Sequence, residues 1–357
     1  KYLWIKIMAY SSIAKPGDYF NTVTYSGNGS NGHTITGVGF NPDFVWIKPR
    51  SGSDDHRLFN QVAGINKYLE TNNTNAEVTD AILTTNSDGY VLTNAGEVNS
   101  GTTTYVGWNW KANGSGSSNS DGSITSTVSA NTTSGVSIVT YTGTGSSGTI
   151  GHGLGVAPTI VLFKKRSAVS NWYFYTYQID GSSDELGLNL TEGKTDRSLT
   201  APTSSVFYVD NQSERNASSA NQLAYVFAEV KGFSKFGIYQ GVNDTGTDGS
   251  INDVFVYTGF KPAFLLLKKY NSSGTGWFIF DNKRDDDNPI SSFLMPQASN
   301  SEDSSLSRSF DLLSNGFKSR GSSDDTSGAG SSYLYMAFAE NPFVGNDSGT
   351  AVPVTAR

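Results

Sequence analysis

The chain has 357 residues, 36% of them hydrophobic and 12% aromatic, with a formal charge of −7, no cysteine and 16% charged residues. These values exclude disulfides and thiolate metal sites, leave no basic cluster for a nucleic-acid interface, and hold too many rings for a disordered chain. No apolar run reaches the roughly 18 residues of a membrane-spanning helix, so no membrane insertion is expected.

At the start, Lys1-Tyr2-Leu3-Trp4-Ile5-Lys6-Ile7 is too short an apolar stretch for a signal peptide. Met8-Ala9-Tyr10 reads as a natural start and the first seven residues as an extension. Residues 1–17 are expected to form an N-terminal arm. Next comes Thr22-Val23-Thr24-Tyr25-Ser26-Gly27, which alternates with the two-residue period of a strand and ends at glycine. Phe40-Asn41-Pro42-Asp43-Phe44-Val45-Trp46-Ile47-Lys48 follows, a proline phrase whose apolar run reads as a central strand covered on both faces. His56-Arg57-Leu58-Phe59 continues as a strand, and Asp88-Gly89-Tyr90 is a hairpin-like turn into another. Tyr105-Val106-Gly107-Trp108-Asn109-Trp110 closes the set.

The same order then recurs twice. The proline phrase returns as Val156-Ala157-Pro158-Thr159-Ile160-Val161-Leu162-Phe163-Lys164 and as Phe260-Lys261-Pro262-Ala263-Phe264-Leu265-Leu266-Leu267-Lys268. Each copy has a hydrophobe two before the proline and a lysine six after it. The prolines lie 116 and 104 residues apart, too far for a solenoid repeat and right for a small domain. Upstream strands return as Ile138 to Gly143 and Phe236 to Gly241, second strands as Trp172 to Tyr175 and Trp277 to Phe280, and closing strands as Leu223 to Phe227 and Leu334 to Phe338. From Tyr90, Phe207 and Phe317 to Trp110, Phe227 and Phe338 the gaps are 20, 20 and 21. No segment of more than about ten residues has helical periodicity. The expected fold is all-β, with three tandem antiparallel β-sandwich, jelly-roll-like domains at 18–112, 124–231 and 232–343. The Gly/Ser/Asn-rich stretch 113–123 is expected to be a flexible linker. No linker separates the second and third domains, which should dock rigidly, and 344–357 is expected to be an extended polar tail.

Few motifs point to chemistry. Gly27 to Gly32 and Gly143 to Gly148 match G-x-G-x-x-G, but strands follow where a dinucleotide site needs a helix. They read as glycine-rich strand connections. Gly193-Lys194-Thr195 ends like a P-loop, yet Leu188 stands where the pattern needs glycine. Cysteine and a G-x-S-x-G elbow are absent, and His33, His56 and His152 fall at non-equivalent positions of the repeats. Asp54-Asp55, Asp285-Asp286-Asp287 and Asp324-Asp325 sit among Ser, Asn and Gly, as solvated loops do, and Asp244 to Gly249 resembles a calcium loop without its closing glutamate. The sequence therefore implies no catalytic residue, metal site or cofactor. Along Trp172 to Tyr177, alternation places Trp172 and Phe174 on a core face and Tyr173, Tyr175 and Tyr177 on the other. Tyr173, matched by Arg57 and Phe278, is the ring expected to reach solvent, and it is the candidate glycan contact.

Three phrases carry a family resemblance. They are Tyr25 to Gly29 with Ile35 to Lys48, Val139 to Gly143 with Gly151 to Pro158, and Tyr225 to Val230 with Gly232 to Phe236. Over Met8 to Arg357 the chain resembles an uncharacterised repeat-domain family of marine tailed-phage virion proteins. The resemblance implies a non-enzymatic protein of the virion surface, assembled in the host cytoplasm, as tail fibre, spike or capsid decoration. The expected partners are other virion proteins and copies of the chain itself, as a homo-oligomer, most simply a trimer, with a host surface glycan as a further one. A carbohydrate-binding adhesin is the alternative, and a polysaccharide-degrading tailspike a third reading.

Overall fold

A computed structural model describes residues 11–242, 254–342, 344–347 and 350–353. The fold is all-β and sandwich-like. Every strand pairing is antiparallel, apart from two isolated parallel bridges. Among the described residues, helix is limited to short turns such as Gly96–Asn99 and Ser213–Asn216, and no helix is long and apolar enough to cross a membrane.

The sequence repeat is a structural repeat. In the first unit Thr104–Trp110 lies between Phe20–Ser26 and Phe44–Pro49, with Arg57–Asn60 next in the sheet. Asn221–Phe227 sits likewise between Val136–Thr142 and Ile160–Lys165, followed by Trp172–Thr176. In the third unit Ser332–Pro342 lies between Ser234–Gln240 and Phe260–Lys269, followed by Trp277–Asp281. Register agrees residue for residue: Phe44 pairs with Trp110, Ile160 with Phe227 and Phe264 with Phe338. Pro42, Pro158 and Pro262 therefore occupy one position, two residues before those partners. Pro42 and Pro158 precede their strands, while Pro262 lies at an irregularity in its ladder, where a missing N–H is tolerated.

Each large sheet carries a small one on one face: His33–Ile35 with Gly89–Leu92 and Leu83–Asn86, Gly148–Gly151 with Val206–Val209, and Phe255–Tyr257 with Gly316–Ser319 and Phe310–Leu313. Three separate apolar clusters fill these sandwiches. The opposite faces of the three large sheets meet in a single fourth cluster. There Phe338 lies within 5.2 Å of Phe20, 5.7 Å of Trp110 and 6.1 Å of Phe227, between ring centroids. Phe44 stacks on Tyr225 at 4.2 Å, and Phe174 meets Trp277 at 5.1 Å. Rings at 4.5–7 Å add to the stabilisation from burial alone, and a core of this size would expose a large apolar face on any unit taken away. The three sandwiches are thus sectors of one body closed around a common axis.

This arrangement specifies one expectation and corrects another. Phe174 belongs to a core face, but that face turns to the neighbouring units; the interior of its own sandwich receives Tyr175 and, at its margin, Tyr173. The stretch 113–123 is not a free linker. Asp43 accepts the N–H groups of Ala112 at 2.6 Å and Gly114 at 3.1 Å, and Ser117–Asn119 forms a strand paired with residues 126–128. Carboxylate acceptance and strand pairing outweigh the compositional signal for flexibility. The arm is likewise docked over its described part, with Ile13 in the shared core and Ser11 against Gly232, whose φ of +78° suits glycine. Residues Val344–Asp347 and Thr350–Pro353 pair as a hairpin.

Candidate functional site at the seams between units

The repeated lysine is structural. Lys48, Lys164 and Lys268 are fully buried at equivalent positions, and each ammonium donates to backbone carbonyls. Lys48 reaches Pro49 at 2.9 Å and Gly52 at 3.2 Å, Lys164 reaches Ser170 at 2.5 Å and Thr74 at 3.2 Å, and Lys268 reaches Thr275 at 2.5 Å. Burial pulls all three down to about 8. They tie the loop after each central strand to the place where that unit meets its neighbour.

Three contacts could recur at each seam. In the first, a loop N–H of one unit donates to the residue two beyond the repeated lysine of the next: Glu302 to Arg50 at 2.7 Å, Glu77 to Arg166 at 2.8 Å, Lys194 to Tyr270 at 2.7 Å. In the second, the ring opposite the lysine reaches the carbonyl seven residues earlier in that same loop: His56 Nε2 to Met295 at 3.0 Å, Trp172 Nε1 to Glu70 at 2.7 Å, Trp277 Nε1 to Gly187 at 2.8 Å. His56 is neutral, with Nδ1 accepting from Trp46 Nε1 at 2.8 Å, so Nε2 carries the proton; burial holds its pKa well below the ordinary histidine value. Position by position, unit one grips three, two grips one and three grips two. His56 thus takes the role of the two tryptophans, which alignment of the second strands could have shown. The loops that receive these contacts share a carboxamide and, two residues on, a hydroxyl: Asn72 and Thr74, Asn189 and Thr191, Gln297 and Ser299. Each carboxamide accepts the N–H of the ring residue, from His56 at 3.0 Å, Trp172 at 2.9 Å and Trp277 at 2.9 Å, a signal too short to mark the seams in a chain this rich in Asn, Ser and Thr.

The third contact exists at two seams only. Ser170 N donates to Thr74 O at 2.9 Å and Gly274 N to Thr191 O at 2.9 Å. The equivalent pair, Asp54 and Ser299, forms no such bond among the described residues. There the seam opens into a polar hollow of about 430 Å³ lined by Ser53, Met295, Ser299, Asn300, Ser301, Glu302 and Asp303. Its inner wall is fixed by ion pairs. Arg50 forks onto Glu302 at 2.8 and 2.9 Å, Arg284 Nη1 meets Glu302 at 3.0 Å, and Arg284 Nε meets buried Asp281 at 2.6 Å, which also accepts from Trp108 Nε1 at 3.0 Å. Such bidentate, mutually bonded groups hold their geometry.

The other sequence candidates lie elsewhere. Tyr173 is half-buried, its hydroxyl 3.4 Å from Asn171 Nδ2, and burial raises its pKa. It stands apart from the hollow. Both G-x-G-x-x-G loops are strand connections held by a buried asparagine: Asn99 Oδ1 accepts from Asn28 N at 2.8 Å, and Asn216 Oδ1 from Thr144 N at 2.9 Å. A Cβ on Gly27 would lie 2.0 Å from Ser100 O and one on Gly143 2.2 Å from Ala217 O, so close backbone approach requires both glycines. His152 donates from Nε2 to Thr203 O at 3.1 Å and accepts from Leu154 N, while His33 Nδ1 is 2.7 Å from Asn99 Oδ1; the three histidines have three separate settings. Asp285 caps Ser291 and Ser292, Asp324 pairs with Lys269, and Asp325 with Arg308. The calcium-like stretch Asp244 to Gly249 lies outside the described residues. Asp180, Asp184 and Asp196 are spaced to share a cation, but Lys194 Nζ already stands among them at 2.6, 2.8 and 2.5 Å.

Fold and seams define a class: an all-β protein whose three repeated sandwiches close a ring on one core. The chain matches the family described as a domain of unknown function, DUF7483, over residues 15–342, and it belongs to that family. The matched stretch runs across all three units. No curated protein and no solved structure matches the chain.

Proposed function

We propose that the protein is a non-enzymatic building block of the outer surface of a phage particle, as tail fibre, spike or capsid decoration. One observation carries this reading: the groups that chemistry would use are engaged in structural bonds, most of them at the seams. The repeated lysines bond to carbonyls, His56 and His152 use both ring nitrogens, and Asp281 and Glu302 serve arginines. A nucleophile needs a base within hydrogen-bond reach and free to take its proton, and such engagement leaves none at these positions. A cysteine-free body assembled in the host cytoplasm and then displayed agrees with the family resemblance. Displayed copies act together, as a homo-oligomer beside other virion proteins, because several weak contacts on one particle add avidity. Antibodies raised against the protein should decorate purified particles of the phage that encodes it; unlabelled particles refute the location. Incubation with host surface polysaccharide should leave its chain length unchanged, and shortening refutes the non-enzymatic part.

A further inference from the structure

We propose that the open seam between the first and third units is a binding site for a neutral saccharide. This goes beyond the surface-protein reading, which stands whether or not a sugar binds. The strongest argument is the comparison within the chain. At two seams the loops close by the bonds from Ser170 to Thr74 and from Gly274 to Thr191, whereas the same place at the third holds a hollow of about 430 Å³. Small-molecule sites fall at roughly 300–1,000 Å³ and favour the boundaries between domains.

The lining selects the ligand. Ser53, Ser299 and Ser301 each give and accept hydrogen bonds, Asn300 does both through its amide, and Asp303 accepts. Met295 adds an apolar contact. Glu302 is paired with Arg50 and Arg284, and the Asp303 carboxylate leaves the wall negative, so it would repel an anion. Mixed donors and acceptors beside a small apolar patch complement a ring with neighbouring hydroxyls and a C–H face. Phosphate would find acceptors opposing it, and a hydrophobic ligand would strand the hydroxyls unpaired. At the inner wall Glu302 is held by two arginines, so this part of the site is formed before a ligand arrives, which spares ordering cost.

The test uses the full chain and neutral hexose and N-acetylhexosamine oligomers, followed by saturation-transfer NMR and titration calorimetry. At least one oligomer should bind in the roughly millimolar range. Asn300→Ala alters an exposed side chain and should weaken binding about tenfold or more, and Ser301→Trp, which fills the hollow, should abolish it. Tyr173→Ala should leave binding unchanged. Circular dichroism checks that each variant is folded. The proposal is overturned if the wild type binds none of the oligomers, if both hollow variants bind as the wild type does, or if Tyr173→Ala removes binding instead. Particle labelling is unaffected by any of these outcomes, so failure here is distinct from failure of the surface-protein reading.

Discussion

Raising the pH from 7.5 to 9.5 should stabilise the protein, and the three buried lysines set the sign. In the unfolded chain a lysine titrates near its ordinary 10.5; in the fold, burial lowers Lys48, Lys164 and Lys268 to about 8. Between these values the unfolded chain binds more protons than the folded one, so the free energy of unfolding rises with pH. The slope for one such group is at most about 1.4 kcal/mol per pH unit, which gives on the order of 1 kcal/mol per lysine over the interval. Above pH ~10 the trend reverses, because burial raises tyrosines such as Tyr90, Tyr141 and Tyr225, and the unfolded chain ionises first. Urea melts at half-unit steps, followed by tryptophan fluorescence, would trace the curve. Lys164→Met keeps the stem and removes the titration, so it should flatten the rise by about a third, one lysine in three. A stability that is flat or falling from 7.5 to 9.5, or a slope untouched by Lys164→Met, would refute the assignment of these lysines as buried and charged at neutral pH.

Two further outcomes follow from the packing. Phe174→Ala opens a gap against Trp277 in the shared core and should cost roughly 3–5 kcal/mol in the full chain, while half-buried Tyr173→Ala should cost about 1 kcal/mol or less; equal losses in urea would contradict the two placements. Light scattering on the purified protein should give a multiple of the 38.2 kDa chain mass, with a trimer expected, and a monomer both in solution and on the particle would reject the oligomer.

Much of the fold was legible because its signals are local. Strand alternation, glycine at strand ends and the fixed spacing from Phe207 to Phe227 are properties of one unit compared with its copies, and the matched registers follow from them. What the sequence hid is what lies between copies. A strand such as Trp172–Thr176 is buried on both faces, and alternation cannot say which face meets its own small sheet and which meets a neighbour. Alternation thus puts Phe174 on a core face, and only the structure shows that this face meets Trp277 of the next unit. The stretch 113–123 misled through composition, because the carboxylate that pins it, Asp43, stands some seventy residues earlier in the chain. The open seam depends on a missing hydrogen bond between Asp54 and Ser299, two loops with no common pattern, and no spacing rule reports such a pair.

The central claim is that the three units share one core and stand or fall together. Native-state hydrogen exchange, resolved by peptide mass spectrometry on the wild type and on Phe338→Ala, tests it most directly. Phe338 touches rings from all three units, among them Phe20, Trp110, Phe227 and Phe264. Its truncation should cost roughly 3–5 kcal/mol. A shared core requires that protection fall by a similar amount in Thr104–Trp110, Asn221–Phe227 and Ser332–Pro342, since their slowest amides exchange only when the whole body opens. Loss of protection confined to Ser332–Pro342, with the other two strands unchanged, would contradict the account and return the chain to three independent sandwiches.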